Sequence, residues 1–118
     1  VEQGDKGRKT NGGFYKYAGK RVIRPKAQPS DLALADIRDR LILRLLNESV
    51  ACLREGVVTD ADLIDVGMVF GTGFAPFRGG PIHYARDRGV PEIISRLAQL
   101  SQTYGERFVA DDGWELVK

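Results

Sequence analysis

Gly71-Thr72-Gly73-Phe74-Ala75-Pro76-Phe77-Arg78-Gly79-Gly80-Pro81 separates two amphipathic segments of this 118-residue chain. Its four glycines and two prolines interrupt any regular element, while Phe74, Phe77 and Arg78 supply side chains that anchor a loop. Pro81 suits the first turn of a new helix, because its φ is already helical and its missing N–H has no partner to lose. Phosphate-binding templates fail here. The third glycine of a dinucleotide fingerprint would fall on Pro76, and the preceding pattern is helical where the fingerprint requires a strand. No Gly-Lys-Ser/Thr follows, so the Walker loop is excluded too. The stretch predicts a turn between two packed helices.

Working outward, residues 31–55 carry a helical pattern. Ile37, Leu41 and Leu45 lie on one stripe, and Ile42, Leu46, Val50 and Leu53 on a neighbouring one, with Asp36, Asp39, Arg40, Arg44 and Arg54 pointing elsewhere. Ser30 is placed to cap this helix, Asp31 complements its dipole, and Gly56 ends it. Seven such side chains, at about 1.5–3 kcal/mol each when fully buried, anchor a small core. Thr59 is positioned to cap the next helix, with Asp60, Asp62 and Asp65 in its first turns, Leu63, Ile64, Val66 and Met68 on its apolar side, and Gly71 at its end. The three aspartates lack the glycine and terminal glutamate of a calcium loop, so capping is their expected role. A short helix over 81–88 stops at Gly89. A longer one over 91–104 presents Ile93, Ile94, Leu97, Leu100 and Tyr104 inward and stops at Gly105. Phe108 and Trp114 are expected to fold the tail back. No run shows strand alternation. The fold class is therefore all-α: a small bundle of four helices after a flexible basic arm.

Composition bounds the rest. The chain has enough residues for one domain, and no apolar run approaches a membrane span. It begins at Val1 without an apolar leader, which suggests a piece of a longer protein with no signal peptide of its own. Cys52, the only cysteine, is expected to be a small buried hydrophobe, and a single thiol suits a cytoplasmic protein. His83, the only histidine, has neither a nucleophile motif nor a second histidine beside it, so it reads as a structural or surface residue. Residues 1–28 hold eight cations against Glu2 and Asp5, a surplus of six within a net charge of +2. Phe14, Tyr15 and Tyr17 interleave with those cations, as on a base-stacking surface, but no recognised nucleic-acid motif accompanies them, so a solvated arm is the default reading.

Three blocks carry a family resemblance: residues 45–58 (Leu45-Leu46-Asn47-Glu48-Ser49-Val50 through Val58), residues 64–81 (Ile64-Asp65-Val66-Gly67-Met68 through Pro81), and Gly7-Arg8-Lys9-Thr10-Asn11-Gly12-Gly13-Phe14-Tyr15-Lys16-Tyr17. Together they resemble the C-terminal domain of the 3-hydroxyacyl-CoA dehydrogenase family, most closely the last repeat of the multifunctional fatty-acid oxidation α-subunits. Ala75 stands where the family usually has proline, and Asn11-Gly12 where it has Gly-Lys; Asn tolerates left-handed backbone nearly as glycine does. The resemblance implies a bundle like the 6-phosphogluconate dehydrogenase C-terminal domain over 31–118, with 1–30 closing a preceding repeat. It implies a parent β-oxidation enzyme that uses NAD to oxidise a 3-hydroxyacyl-CoA. That parent would hold a Rossmann domain, a first helical repeat and, as a candidate partner, a thiolase subunit.

The resemblance places no catalytic, NAD-binding or metal-binding residue in this chain. Asn47 and His83 do not match the family's catalytic positions. The expected role is packing against the substrate-binding repeat, with Phe74, Phe77 and Arg78 as interdomain contacts and self-association of the exposed docking face in isolation. The alternative is a stand-alone module whose basic arm grips the phosphates of CoA or a nucleic acid.

Overall fold

The computed structural model describes residues 4–26 and 33–117. The chain divides into two compact units, residues 1–31 and 32–118.

The first unit is more ordered than a flexible arm. Arg8–Thr10 forms a single 3-10 turn, and Lys16–Ala18 (β1) pairs antiparallel with Arg21–Ile23 (β2), Tyr17 opposite Val22. Three-residue strands are too short to announce themselves by alternation; the legible signal was the Gly19-Lys20 pair, which fits a two-residue hairpin turn. Asn11 adopts left-handed backbone at φ 56°, the only non-glycine with positive φ among the described residues. Its short polar side chain makes that region accessible. Tyr17 N–H donates to the Asn11 carbonyl at 3.0 Å, tying the turn to the hairpin.

The second unit contains four helices: α1 (Leu34–Arg54), α2 (Ala61–Thr72), α3 (Pro81–Arg88) and α4 (Val90–Tyr104). Short 3-10 segments at Pro76–Arg78, Glu106–Phe108 and Asp112–Leu116 complete it. The expected cap of the first helix at Ser30 and Asp31 lies outside the described residues. At the other end of α1, Gly56 N–H donates to the Leu53 carbonyl and Val57 N–H to that of Cys52, the paired bonds of a Schellman stop. Asp60, not Thr59, caps α2: its carboxylate accepts from Leu63 N–H at 3.0 Å, and the Thr59 hydroxyl bonds that same carboxylate. The helix also runs one residue past Gly71, ending where Gly73 turns left-handed at φ 75°.

The core gathers Leu43, Leu46 and Val50 of α1, Ile64 of α2, Ile82 and Ala85 of α3, and Ile93, Leu97 and Leu100 of α4. Phe108, Trp114 and Val117 close it from the tail, as expected for the first two. Four assignments to the apolar faces need correction. Leu41 is 72% exposed, Leu63 and Val66 of α2 are about half exposed, and Ile94 of α4 turns outward beside the buried Ile93, while Leu43 is fully buried. Because Leu41-Ile42-Leu43 and Leu45-Leu46 make α1 apolar nearly all round, periodicity could not choose which stripe faces the core.

Asp39 is a further correction, since it is buried on the same stripe as Leu43 and Leu46. Three guanidiniums satisfy it: Arg88 Nη1 at 2.9 Å, Arg96 Nε at 3.0 Å and Arg38 Nη2 at 3.0 Å. Asp36 extends the cluster by accepting from Arg96 and, at 2.9 Å, from the Tyr104 hydroxyl. One turn of α1 is thereby clasped to both α3 and α4. Burial alone would raise the Asp39 pKa, but the bonds from Arg88, Arg38 and Arg96 outweigh it and hold the carboxyl below its ordinary value. Burial likewise opposes the charge on Arg88, and its bonds to Asp39 and Glu92 reverse the effect.

The tail is fixed by Asn47. Its side-chain amide donates to the Val109 carbonyl at 2.9 Å, and its oxygen accepts from Asp111 N–H and Trp114 Nε1, both at 2.9 Å. Arg54 adds a two-pronged bond to the Asp111 carboxylate at 2.8 and 2.9 Å, which lowers that group's pKa. The last 3-10 segment approaches α1 so closely that a Cβ on Gly113 would lie 2.3 Å from the Val50 carbonyl oxygen.

Candidate docking face

The glycine-rich stretch bends as its composition requires and is pinned from one side by Asp65. That carboxylate does not serve its own helix. It accepts from the backbone N–H groups of Ile82 at 2.6 Å and His83 at 3.0 Å, capping the start of α3, where Gly80 offers no side chain. A carboxylate is favoured there by the unpaired N–H groups and the positive end of the helix dipole. Gly80 is backed directly against Asp65: an added Cβ would fall 2.4 Å from the carboxyl carbon. The capping role expected of Asp65 therefore holds, but across the turn and not within α2.

This places Pro76–Arg78 outside the packed body of the unit. Phe77 is 85% exposed, whereas Phe74 is half-buried. The Arg78 guanidinium stands 5.6 Å from the Phe77 ring centroid and 5.7 Å from that of Tyr84. Among the described residues it makes no ion pair, so ring faces alone orient it. His83 lies at the surface, 3.6 Å from the Asp87 carboxylate one turn on.

On α1 and α2 the exposed apolar side chains border a groove of about 670 Å³. Leu41, Leu45 and Cys52 form one wall, Ile64 and Met68 the other, and Val57 and Val58 close the end. Cys52 is thus half-buried in a groove wall and not within the core. Leu63 and Gly67 of α2 also line this groove; Gly67 and Gly71 lie one turn apart among the exposed Leu63, Val66 and Phe70, and nothing comes within 4 Å of a Cβ built on either glycine. Phe70 is 86% exposed. A helix this apolar on its outer side, with bare backbone between large side chains, can bury that side only against another surface.

No group of three or more metal-ligating side chains occurs among the described residues. The Gly71-Thr72-Gly73 run ends a helix and leads into a 3-10 turn, so it offers no strand-to-helix cradle for a dinucleotide. No helix among the described residues is long and apolar enough to cross a membrane.

No family model matches the chain. Known proteins do. The fatty acid oxidation complex subunit alpha of Vibrio vulnificus (strain CMCP6) is 37% identical to it over 124 aligned positions covering 96% of the chain. The subunit of the same name from Vibrio campbellii (strain ATCC BAA-1116) is 36% identical over the same share, and that of Shewanella loihica (strain ATCC BAA-1088 / PV-4) 34% identical over 91%. The chain spans only 17% of the length of each of these relatives. Over nearly its whole length, then, it is homologous to one segment of the fatty acid oxidation complex α-subunits, as the three sequence blocks anticipated.

Proposed function

We propose that this chain is a non-catalytic packing module of an NAD-dependent 3-hydroxyacyl-CoA dehydrogenase, the C-terminal helical repeat of a multifunctional α-subunit. Its task is to buttress the first helical repeat and so shape the acyl-CoA cleft. NAD would be held by the parent's Rossmann domain. The observation that carries this reading is the unpartnered apolar groove between α1 and α2, where Leu41 is 72% exposed, together with Phe70 of α2 beyond it, 86% exposed. In a unit of this size, so much exposed apolar area calls for a covering surface. Phe74, Phe77 and Arg78 would add contacts beside it, with Arg78 supplying a guanidinium for a carboxylate or helix-end carbonyl of the neighbouring repeat.

The test belongs in the full-length α-subunit. Leu41→Asp and Phe70→Asp introduce charge on the outer face without touching the core. Each should lower the parent's thermal stability and its dehydrogenase activity, while the isolated 118-residue chain keeps its melting temperature. Arg78→Ala should act in the same direction more weakly. Unchanged stability and kinetics in the parent for all three would remove the buttress role.

A further inference from the structure

The Arg40–Arg107 cleft has a construction that packing does not require. It measures about 340 Å³, at the small end of ligand sites, and is lined by Ile37, Arg40, Leu41, Arg107 and Phe108. Two of these five residues are cations and none is an anion. Elsewhere in the helical unit, Arg38, Arg44, Arg54, Arg88 and Arg96 each pair with a carboxylate, and Arg78, on the glycine-rich turn, stands beside rings without one. Arg40 and Arg107 pair with none among the described residues. Arg107 also borders the neighbouring recess over Asn47, which carboxylates line, among them Glu48, Glu106 and Asp111, but it forms no ion pair with any of them.

The two unpaired guanidiniums are held by rings. Arg40 stacks 4.1 Å from the Tyr104 centroid, Tyr104 meets Phe108 edge-on at 6.1 Å, and Arg107 lies 5.4 Å from the Phe108 centroid. Tyr104 is itself anchored through its hydroxyl to Asp36. Stacking on a ring leaves the in-plane N–H fork of an arginine free to donate, which is the geometry that takes a planar or tetrahedral oxyanion. Below the cations lies an apolar floor of Ile37, Leu41 and Phe108.

We infer that this cleft is a binding site for a small amphipathic anion, a carboxylate or phosphate head joined to an apolar body. The head sits between Arg40 and Arg107, and the body lies on the floor. This site shares Leu41 with the groove between α1 and α2, but its cations Arg40 and Arg107 lie outside that groove, so the proposal does not depend on the buttress role.

The test is an NMR titration of the isotope-labelled 118-residue chain with sodium hexanoate, hexanol and inorganic phosphate in parallel. Hexanoate should shift the Phe108 and Arg107 amides and the Arg40 and Arg107 side-chain N–H signals in a saturable way, weakening as salt is raised. Hexanol, lacking the charge, and phosphate, lacking the body, should each bind about tenfold more weakly or not at all. Arg107→Gln, at an exposed position, should cost hexanoate about tenfold in affinity without changing the melting temperature. Arg40→Gln should do the same, and Leu41→Ala should weaken hexanoate while leaving phosphate unaffected. Equal binding of hexanol, equal binding of phosphate, shifts confined to the α1–α2 groove, or wild-type affinity in Arg107→Gln would each overturn the assignment.

Discussion

Asp65 and Asn47 do at single positions what the helices cannot do for themselves. Asp65 takes two N–H groups that open α3, one of them buried, so Asp65→Ala leaves donors without partners and removes a favourable charge from the dipole. A loss of about 2–3 kcal/mol is expected, readable as a lowered urea midpoint with an unchanged m-value. Asn47→Ala should be similarly costly, because Trp114 Nε1 and Asp111 N–H lose their acceptor together and the tail loosens. Trp114 is the only tryptophan, so its fluorescence reports that loosening directly. Asp39 yields a pH prediction. Its folded pKa lies below the unfolded one, so its stabilisation is complete above the unfolded value of about 4 and disappears as pH falls through the folded value. Asp39→Asn should therefore lower the melting temperature at pH 7, and the gap from wild type should narrow below about pH 4. A gap independent of pH would mean that the charge is not what the clasp uses.

At the scale of elements, α2 carries an internal conflict that function would explain. Gly67 is an exposed helix-interior glycine with open space around it, and such a residue costs about 1 kcal/mol relative to alanine. Gly67→Ala should raise the melting temperature of the isolated chain by about 4–8 °C per kcal/mol gained. In the full-length α-subunit the same methyl would meet a closely packed neighbour, and the gain should vanish or reverse. A gain of equal size in both settings would mean that no backbone approaches this helix. Element boundaries were legible where a glycine or proline punctuates the chain, as at Gly56, Pro81, Gly89 and Gly105. They were missed where two candidates lie side by side. Thr59 and Asp60 are both good caps, and only the extended backbone at Asp60 chose between them. The hairpin over Lys16–Ile23 escaped because three residues per strand offer one alternation each.

For the molecule as a whole, the exposed apolar side chains predict that the isolated chain self-associates at high concentration. Sedimentation should show a concentration-dependent rise in mass, suppressed by Leu41→Asp and Phe70→Asp. A strictly monomeric wild-type chain would argue that the groove is too open to hold a second surface. The four-helix class, the order of elements, the folded-back tail and the kinship with fatty acid oxidation complex α-subunits were all legible in the residues, because periodicity, punctuation and a long specific motif are local properties. Which stripe of α1 turns inward was not, since Leu41 and Leu43 are chemically alike and differ only in what packs against them. The fate of Asp39 was hidden for the same reason. A carboxylate next to apolar neighbours reads as a surface group until Arg88 and Arg96, far along the chain, arrive to neutralise it. Asp65 is the third case: its spacing suited its own helix, and only the sharp turn through Gly80 brought the next helix within its reach. Sequence by itself determined what could form helices and where they must stop, which depends on backbone conformations local to a few residues. Tertiary structure alone decided which side chains meet, because burial and pairing are properties of distant segments brought together.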